Sequence, residues 1–179
     1  MAIYISILRG INVSGKNMIK METLRKMYEA LGFTGVSTYL QSGNVVFGSQ
    51  EADTVAMAAR ISGRIREEFG YEVPVLVLTP GEIGQVIAGN PFPADPSKDP
   101  AFLHITFLSA EPASIPREAI DAKRAPGEEI AFHGKAVYLY CPNGYGNTKL
   151  HNTFLEKALK VTATTRNWKT TRELERITR

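Results

Sequence analysis

Apolar and polar residues alternate along the first strand-length segment of the chain. Between Ala2 and Leu8 the odd positions are isoleucines, and the even positions among them are Tyr4 and Ser6. Alternation with period two predicts a strand with one buried face. We expect the isoleucines to face the core, and Tyr4 and Ser6 to face away from it.

Two longer segments then carry apolar residues at helical spacing. The predicted helices span about 21–31 and 52–69, and each is followed by a glycine that marks its end. Between them VSTYLQSGNVVF predicts a hairpin turning at Ser42–Gly43, and after them YEVPVLVLT predicts a strand that Pro74 restricts to a strand start or a sheet edge. The order β-α-β-β-α-β predicts a ferredoxin-like split βαβ half, with two helices on one face of a four-stranded sheet and the other face open.

The second half repeats most of this order. Thr79 and Glu82 frame a helix start, and the proline-dense NPFPADPSKDP after that helix marks a boundary. A strand (AFLHITFL), a short helix (117–123), a hairpin turning at His133–Gly134, a helix (149–159) and a last helix near Trp168 follow. The sequence therefore predicts an α+β chain of two similar subdomains, 1–79 and 80–179, with the boundary within about 80–100 and two C-terminal helices in the second.

Composition and charge refine this picture. Of the 179 residues, 44% are hydrophobic and 22% charged, as in a globular chain with a core, and the one cysteine allows no internal disulfide. No segment has the pattern of a secretory signal or a membrane span, so we expect a cytoplasmic protein without a membrane partner. Residues 1–30 carry a net charge of +3, residues 31–148 of −5 and residues 149–179 of +5. The basic ends form a patch if they meet in space, and two solvated helix faces otherwise.

The loop after the first strand, RGINVSGKNMIKM, has the spacing of a phosphate-binding P-loop. Gly10, Gly15 and Lys16 fit G-x-x-x-x-G-K, but Asn17 stands where the motif needs a hydroxyl for Mg²⁺. No later apolar run ends in the aspartate that NTPases use for the metal, and the helical pattern starts at Met21 rather than at Lys16. The sequence argues against a P-loop NTPase.

The same loop has the composition of an anion site. Its glycines and cations lead into a helix N-terminus, where backbone N–H groups and the helix dipole favour negative charge. The alternative is a flexible, solvated loop that happens to be basic. The candidate residues are Arg9, Asn12, Gly15, Lys16, Asn17 and Lys20.

Two C-terminal stretches, PNGYGNTKLHNTFLEKAL and TATTRNWKT, have a similar composition. A turn-rich loop opens a predicted helix at about Thr148–Lys149, and Thr165 or Asn167 can cap the final helix. Cations near both helix starts predict anion sites, and the alternative is capping chemistry with a core tryptophan. The candidates here are Asn147, Lys149, Arg166, Asn167, Trp168 and Lys169, and Gln41 and Asn44 of the first half add hydrogen-bonding amides.

Five blocks occur in order along the chain: LRGINVSGKN, TYLQSGNVVF, NPFP, PNGYGNTKL and TTRNWKT. Together they resemble the bacterial domain-of-unknown-function family numbered 1697, over essentially the whole chain. The resemblance implies an α+β protein of soluble, bacterial origin and implies no activity. It also makes the near-P-loop a feature of the family rather than a degenerate nucleotide motif.

Metal and covalent chemistry have little support in the sequence. His104, His133 and His151 lie far apart without the spacing of metal ligands, and Cys141 has no evident partner base. We predict no metal and no cofactor, and the pattern leaves enzymatic activity undecided.

Polar and aromatic side chains would line the open sheet faces if the helices cover the apolar sides. Such a surface resembles the way RNA-recognition modules stack bases, although no RNP-type motif is present. The alternative is that the open faces pack together or form a homodimer. The residues concerned are Tyr4, Ser6, His104, Thr106, Tyr138 and Tyr140.

Three functional hypotheses follow. The first is a binding protein for an anionic or phosphate-bearing ligand, a nucleotide or nucleic acid, held between the basic N-terminal loop and the C-terminal helix starts. The second is an enzyme that acts on a phosphorylated small molecule, with His104 or His151 as acid–base. The third is an interaction protein or dimer without a small-molecule site.

Overall fold

The computed structural model describes residues 1–179, which form two compact units. One unit comprises Met1–Ile83 with Leu174–Arg179, and the other comprises Gly84–Glu173. Each unit contains one four-stranded antiparallel sheet with helices. The predicted α+β class with two similar halves is confirmed. No helix has the length and apolar character needed to cross a membrane.

The first unit follows the predicted element order. Its elements are β1 (Ala2–Leu8), α1 (Met21–Ala30), β2 (Thr34–Tyr39), β3 (Asn44–Ser49), α2 (Thr54–Phe69) and β4 (Val75–Leu78). The sheet order is β2-β3-β1-β4, so β4 is an edge strand that begins directly after Pro74, as the proline predicts. Helix α3 (Pro80–Ala88) follows, and its start is the predicted capping box. The Thr79 N–H donates to Glu82 Oε2 at 2.8 Å, and the Glu82 N–H donates to Thr79 Oγ1 at 3.1 Å.

The burial of β1 differs from the prediction. Tyr4 and Leu8 belong to the core that also contains Tyr28 of α1, and Ser6 Oγ lies 2.7 Å from Tyr28 Oη. Tyr4 and Ser6 therefore face the helical side, and the expectation that they line an open face was wrong. Ile5 and Ile7 point the opposite way and are also fully buried. Ser6 and Tyr28 are tolerated in the core because their hydroxyls pair with each other.

The second unit repeats the topology of the first. Its elements are β5 (Leu103–Leu108), α4 (Arg117–Asp121), β6 (Glu129–His133), β7 (Ala136–Tyr140), α5 (Asn152–Leu159) and β8 (Ala163–Asn167), and the chain ends in α6 (Trp168–Ile177). The sheet order β6-β7-β5-β8 matches that of the first sheet. The sequence prediction missed β8, because ATTRN is short and has little apolar character. Helix α5 begins three residues later than predicted, since His151 rather than Thr148 is its N-cap.

The second sheet also lacks the predicted open aromatic face. His104 and Thr106 stand opposite Leu139 and Val137 in the register, and these last two residues pack with α5. The expectation that His104 and Thr106 face away from the helices was therefore wrong. Tyr138 does point the other way, but it is fully buried and its hydroxyl donates to the Val86 carbonyl at 2.7 Å. It is thus not available to stack a base.

Candidate functional site

The loop between β1 and α1 contains a miniature hairpin. The Lys16 N–H donates to the Val13 carbonyl at 2.9 Å, and the Val13 N–H donates to the Lys16 carbonyl at 3.3 Å. Ser14 and Gly15, with φ of 51° and 74°, form the two-residue turn between them. Positive φ at both central residues is the geometry of a type I′ hairpin turn. Since this hairpin occupies the place of a phosphate cradle, the structure agrees with the sequence argument against a P-loop.

The side chain of Asn12 holds this hairpin in place. Its Nδ2 donates to the Ile19 carbonyl at 3.0 Å and to the Gln41 carbonyl at 2.8 Å, and its Oδ1 accepts the Ile19 N–H at 2.8 Å. Asn12 itself adopts a φ of 53°. An asparagine suits this position because it tolerates the left-handed region and bonds to nearby backbone. Its amide joins the base of the hairpin to the β2–β3 loop.

Other amides of the predicted site also hold backbone. Asn17 Nδ2 donates to the Gly10 carbonyl at 3.0 Å, and the fully buried Asn44 donates to the Tyr39 carbonyl at 2.7 Å and to Ser42 Oγ at 3.1 Å. Residues 9–20 and 40–43 therefore form one hydrogen-bonded assembly, which we call the two-loop surface. Whether its asparagines also contact a ligand stays a prediction.

The two-loop surface presents cations to solvent. Lys16, Lys20 and Gln41 are exposed, and Arg9 is half-buried. The first acidic residue of the chain is Glu22, which lies 3.3 Å from Lys26 on α1. The surface therefore carries a net charge of +3 with no acidic residue of its own, and this favours an anion.

The second unit holds the remaining polar candidates of the sequence prediction. Asn147 Nδ2 donates to the Asn143 carbonyl at 2.8 Å, and Asn167 Oδ1 accepts the Thr170 N–H at 2.7 Å, which makes Asn167 the cap of α6. Lys149 and Lys169 are exposed. Because α5 starts at Asn152, Lys149 does not lie in its first turn, contrary to the prediction.

Arg166 and Trp168 are buried rather than presented to solvent. Arg166 is 8% exposed and its Nη1 donates to the Thr165 carbonyl at 3.0 Å. Burial lowers the pKa of its guanidinium to about 10. Trp168 is 7% exposed, with the Arg172 guanidinium 5.6 Å from its ring centroid. Of the two interpretations drawn from the sequence, a core tryptophan fits Trp168 better than a residue that contacts a ligand.

His104 lies in a cluster that the sequence did not reveal. Its ring stacks on Tyr145 at a centroid distance of 4.6 Å, and Asn167 stands opposite it in the β5–β8 register. Burial lowers the pKa of the His104 imidazole, which a hydrogen bond with the Phe102 backbone partly offsets. The strand pairing brings the PNGYGN loop and the end of β8 to the same histidine. The sequence pattern did not reveal this cluster because His104, Tyr145 and Asn167 lie tens of positions apart in the chain.

The other candidate groups have structural roles or surroundings that disfavour chemistry. His151 caps α5, since its Nδ1 accepts the Phe154 N–H at 3.3 Å. Cys141 is fully buried, and burial, with the charge of Glu128, raises the pKa of its thiol to about 11. A buried thiol of this kind is a poor nucleophile. No three His, Cys, Asp or Glu side chains gather where one metal ion could bind them.

Comparison with known proteins identifies the family. The family described as Protein of unknown function (DUF1697) matches residues 1–138. The chain belongs to this family. The DUF1697 match includes the whole two-loop surface, whereas PNGYGNTKL and TTRNWKT lie beyond its end. No curated protein matches the chain.

One solved structure resembles this DUF1697 protein over its full length. It is a conserved bacterial protein of Streptococcus pneumoniae, with a TM-score of 0.65 and 22% identity, and the match covers 99% of this chain and 98% of that chain. At this identity the likeness shows a shared fold alone. The function has to be argued from the residues of this chain.

Proposed function

We propose that the protein binds a phosphate-bearing ligand, a nucleotide or nucleic acid, at the two-loop surface. The observation that carries the proposal is the combination of rigidity and charge. Five residues with positive φ lie within eight positions, and Asn12 and Asn17 hold their backbone with side-chain amides. A loop held in this way loses little further entropy when it binds, so its affinity is higher than that of a mobile basic loop.

The charges of the surface support an anionic ligand. Lys16 follows directly on the hairpin turn, Lys20 precedes the first turn of α1, and Arg9 begins the loop. The ammonium groups of Lys16 and Lys20 are exposed and are suited to charge-assisted hydrogen bonds with phosphate oxygens. Gln41 adds an exposed amide that could bond to a sugar or base.

The test is a titration of the protein with sodium pyrophosphate and with ATP at low salt, followed by ¹H–¹⁵N amide shifts. Saturable shifts confined to residues 9–20 and 40–43 are expected. Lys16→Ala should weaken binding about twofold to fivefold, because one exposed charge pair contributes roughly 0.4–1 kcal/mol. Lys26→Ala removes the same charge from α1 and is the matched control, with no expected effect. The proposal would be overturned if neither these small phosphates nor a nucleic acid produced saturable shifts, or if the two variants had equal effects.

A second candidate is an enzyme that acts on a phosphorylated small molecule at His104. The specific observation is the half-buried His104, which stacks on Tyr145 and has a lowered pKa, so that it is neutral and able to accept a proton at pH 7. The test is turnover of a panel of phosphate esters by the wild type, His104→Gln and His151→Gln. Loss of turnover in His104→Gln alone supports this candidate, and no turnover by the wild type rejects it for these esters.

A further inference from the structure

Exposed aliphatic side chains accompany the cations of the two-loop surface. Val13, Met18 and Leu40 are 54%, 55% and 51% exposed. They belong to the seven large apolar residues of the chain that are exposed: Met1, Ile3, Val13, Met18, Leu40, Val55 and Ile177. Single exposed apolar residues need no explanation, but a group of them on one rigid surface is typical of a docking site.

The backbone segments next to the three aliphatic residues are linked by the same hydrogen bonds that order the loops. Asn12, the neighbour of Val13, bonds to the carbonyls of Ile19 and Gln41, which directly follow Met18 and Leu40. The Met18 carbonyl also accepts a hydrogen bond from Tyr71 Oη at 3.2 Å. The side chains are therefore presented on a fixed backbone, together with Lys16 and Lys20.

We infer that the two-loop surface docks on double-stranded DNA, with the 12–17 hairpin entering the major groove. This inference rests on the proposed function and names the ligand class. Charge complementarity supports a polyanion, because the surface is basic and has no acidic residue. Aliphatic side chains next to the cations match a groove that offers thymine methyl groups between two rows of phosphates.

The shape of the hairpin decides among nucleic acids. Two paired strands lie about 4.8 Å apart, and the major groove of B-DNA, about 12 Å wide, admits such a ribbon with its side chains. The major groove of an A-form RNA duplex is too narrow for it. Recognition of single strands relies on aromatic stacking, and none of the exposed large apolar residues is aromatic.

The roles of the residues follow from this placement. The exposed Lys16 and Lys20 contact phosphates and supply the dependence on salt. Val13, Met18 and Leu40 contact the floor of the groove and contribute affinity without changing that dependence. Two phosphate contacts predict a slope of log K against log salt of about −2.

The experiment measures fluorescence anisotropy of a labelled 16-base-pair DNA duplex between 20 and 150 mM NaCl, beside an RNA duplex and a DNA strand of the same sequence. The DNA duplex should bind most tightly, with the slope given above. Lys16→Ala should reduce the magnitude of the slope by about 1, and Lys26→Ala should leave it unchanged. Val13→Ser with Leu40→Ser should weaken binding about tenfold at an unchanged slope, whereas Val55→Ser, an exposed control on α2, should have no effect. Amide spectra confirm that each variant is folded.

The outcomes separate this inference from the proposed function. If pyrophosphate or ATP shifts the loop amides and the DNA duplex does not bind, the inference falls and the proposed function stands. If the RNA duplex or the single strand binds more tightly, or the aliphatic variants bind as the wild type does, the inference is also overturned. If neither the small phosphates nor any of these nucleic acids binds, both proposals fall.

Discussion

The side-chain amide of Asn12 donates to the backbone carbonyl of Gln41 at 2.8 Å and so joins two loops that are 29 residues apart in the chain. Through this bond the hairpin before α1 and the loop between β2 and β3 form one surface. Replacement of Asn12 therefore tests how the two loops are held together.

Replacing Asn12 should loosen both loops. Asn12→Ala removes three hydrogen bonds and places alanine at positive φ, so we expect a loss of about 2–3 kcal/mol in the free energy of unfolding. Asn12→Gly removes the same bonds but tolerates the left-handed backbone, and it should cost about 1 kcal/mol less. Urea denaturation measures both values, and amide exchange should show faster opening of residues 9–20. A glycine variant less stable than the alanine variant would contradict this account.

Gly43 should be needed for stability both because a Cβ would clash with its neighbours and because its φ is positive. A Cβ there would lie 2.7 Å from Ile11 Cδ1 and 2.9 Å from Leu8 Cβ, and its φ is 89°. Gly32 has a φ of 91° and nothing within 4 Å of a Cβ, so it is a control for the backbone strain alone. We expect Gly32→Ala to cost about 1 kcal/mol and Gly43→Ala at least about 2 kcal/mol more, measured by urea denaturation. Equal costs would show that the close packing of the two loops is not maintained in solution.

Lys98 should make the stability of the second unit depend on pH. It is 10% exposed, lies 2.7 Å from both Asp95 and Glu129, and stands over the rings of Phe92 and Tyr140. Its hydrogen bond, with further bonds from Ser97, holds the pKa of Asp95 well below its usual range. A pKa that folding lowers stabilises the fold above the unfolded value of about 4, and this stabilisation is lost as the pH falls.

The measurement compares urea midpoints of the wild type and Lys98→Met. The wild type should unfold at a clearly higher urea concentration at pH 7, and the gap should narrow at pH 3. Lys26→Met removes a lysine from an exposed pair with Glu22 and should change little at either pH. A gap that stays constant with pH would mean that Lys98 contributes through packing rather than through its charge.

Cys141 should be unreactive in the folded protein. Its thiol is buried, and its pKa of about 11 keeps it protonated at pH 8. A disulfide reagent should therefore react slowly in buffer and rapidly in urea, where the pKa returns to about 8.5. Because folding raises this pKa, the associated stability is complete below about pH 8.5 and declines as the pH rises towards 11. The decline should be smaller in Cys141→Ala, and rapid reaction of the native thiol would contradict the burial.

Much of the fold follows from local pattern. The capping box of Thr79 and Glu82 and the edge position forecast by Pro74 match the structure, because caps and proline act within a few residues. The elements that were misjudged depend on distant partners. Strand β8 is stabilised by pairing with β5, about 60 positions earlier, and its own residues carry little apolar signal.

The candidate site was likewise predictable only in part from local sequence. Composition alone pointed to the basic, glycine-bearing loop and to its asparagines. The sequence could not tell which asparagines hold backbone and which remain available, because each of those hydrogen bonds needs the position of its partner.

The sequence by itself determined the order of strands and helices apart from β8, most of their ends and the basic character of the loop after β1, because periodicity, capping and charge are local properties of a chain. Only the tertiary structure decided that Tyr4 and Ser6 face the core, that residues 12–17 form a hairpin and that Val13, Met18 and Leu40 are exposed on the two loops that also carry the lysines. These features depend on contacts between residues far apart in sequence, which form when the two loops and the sheet are brought together.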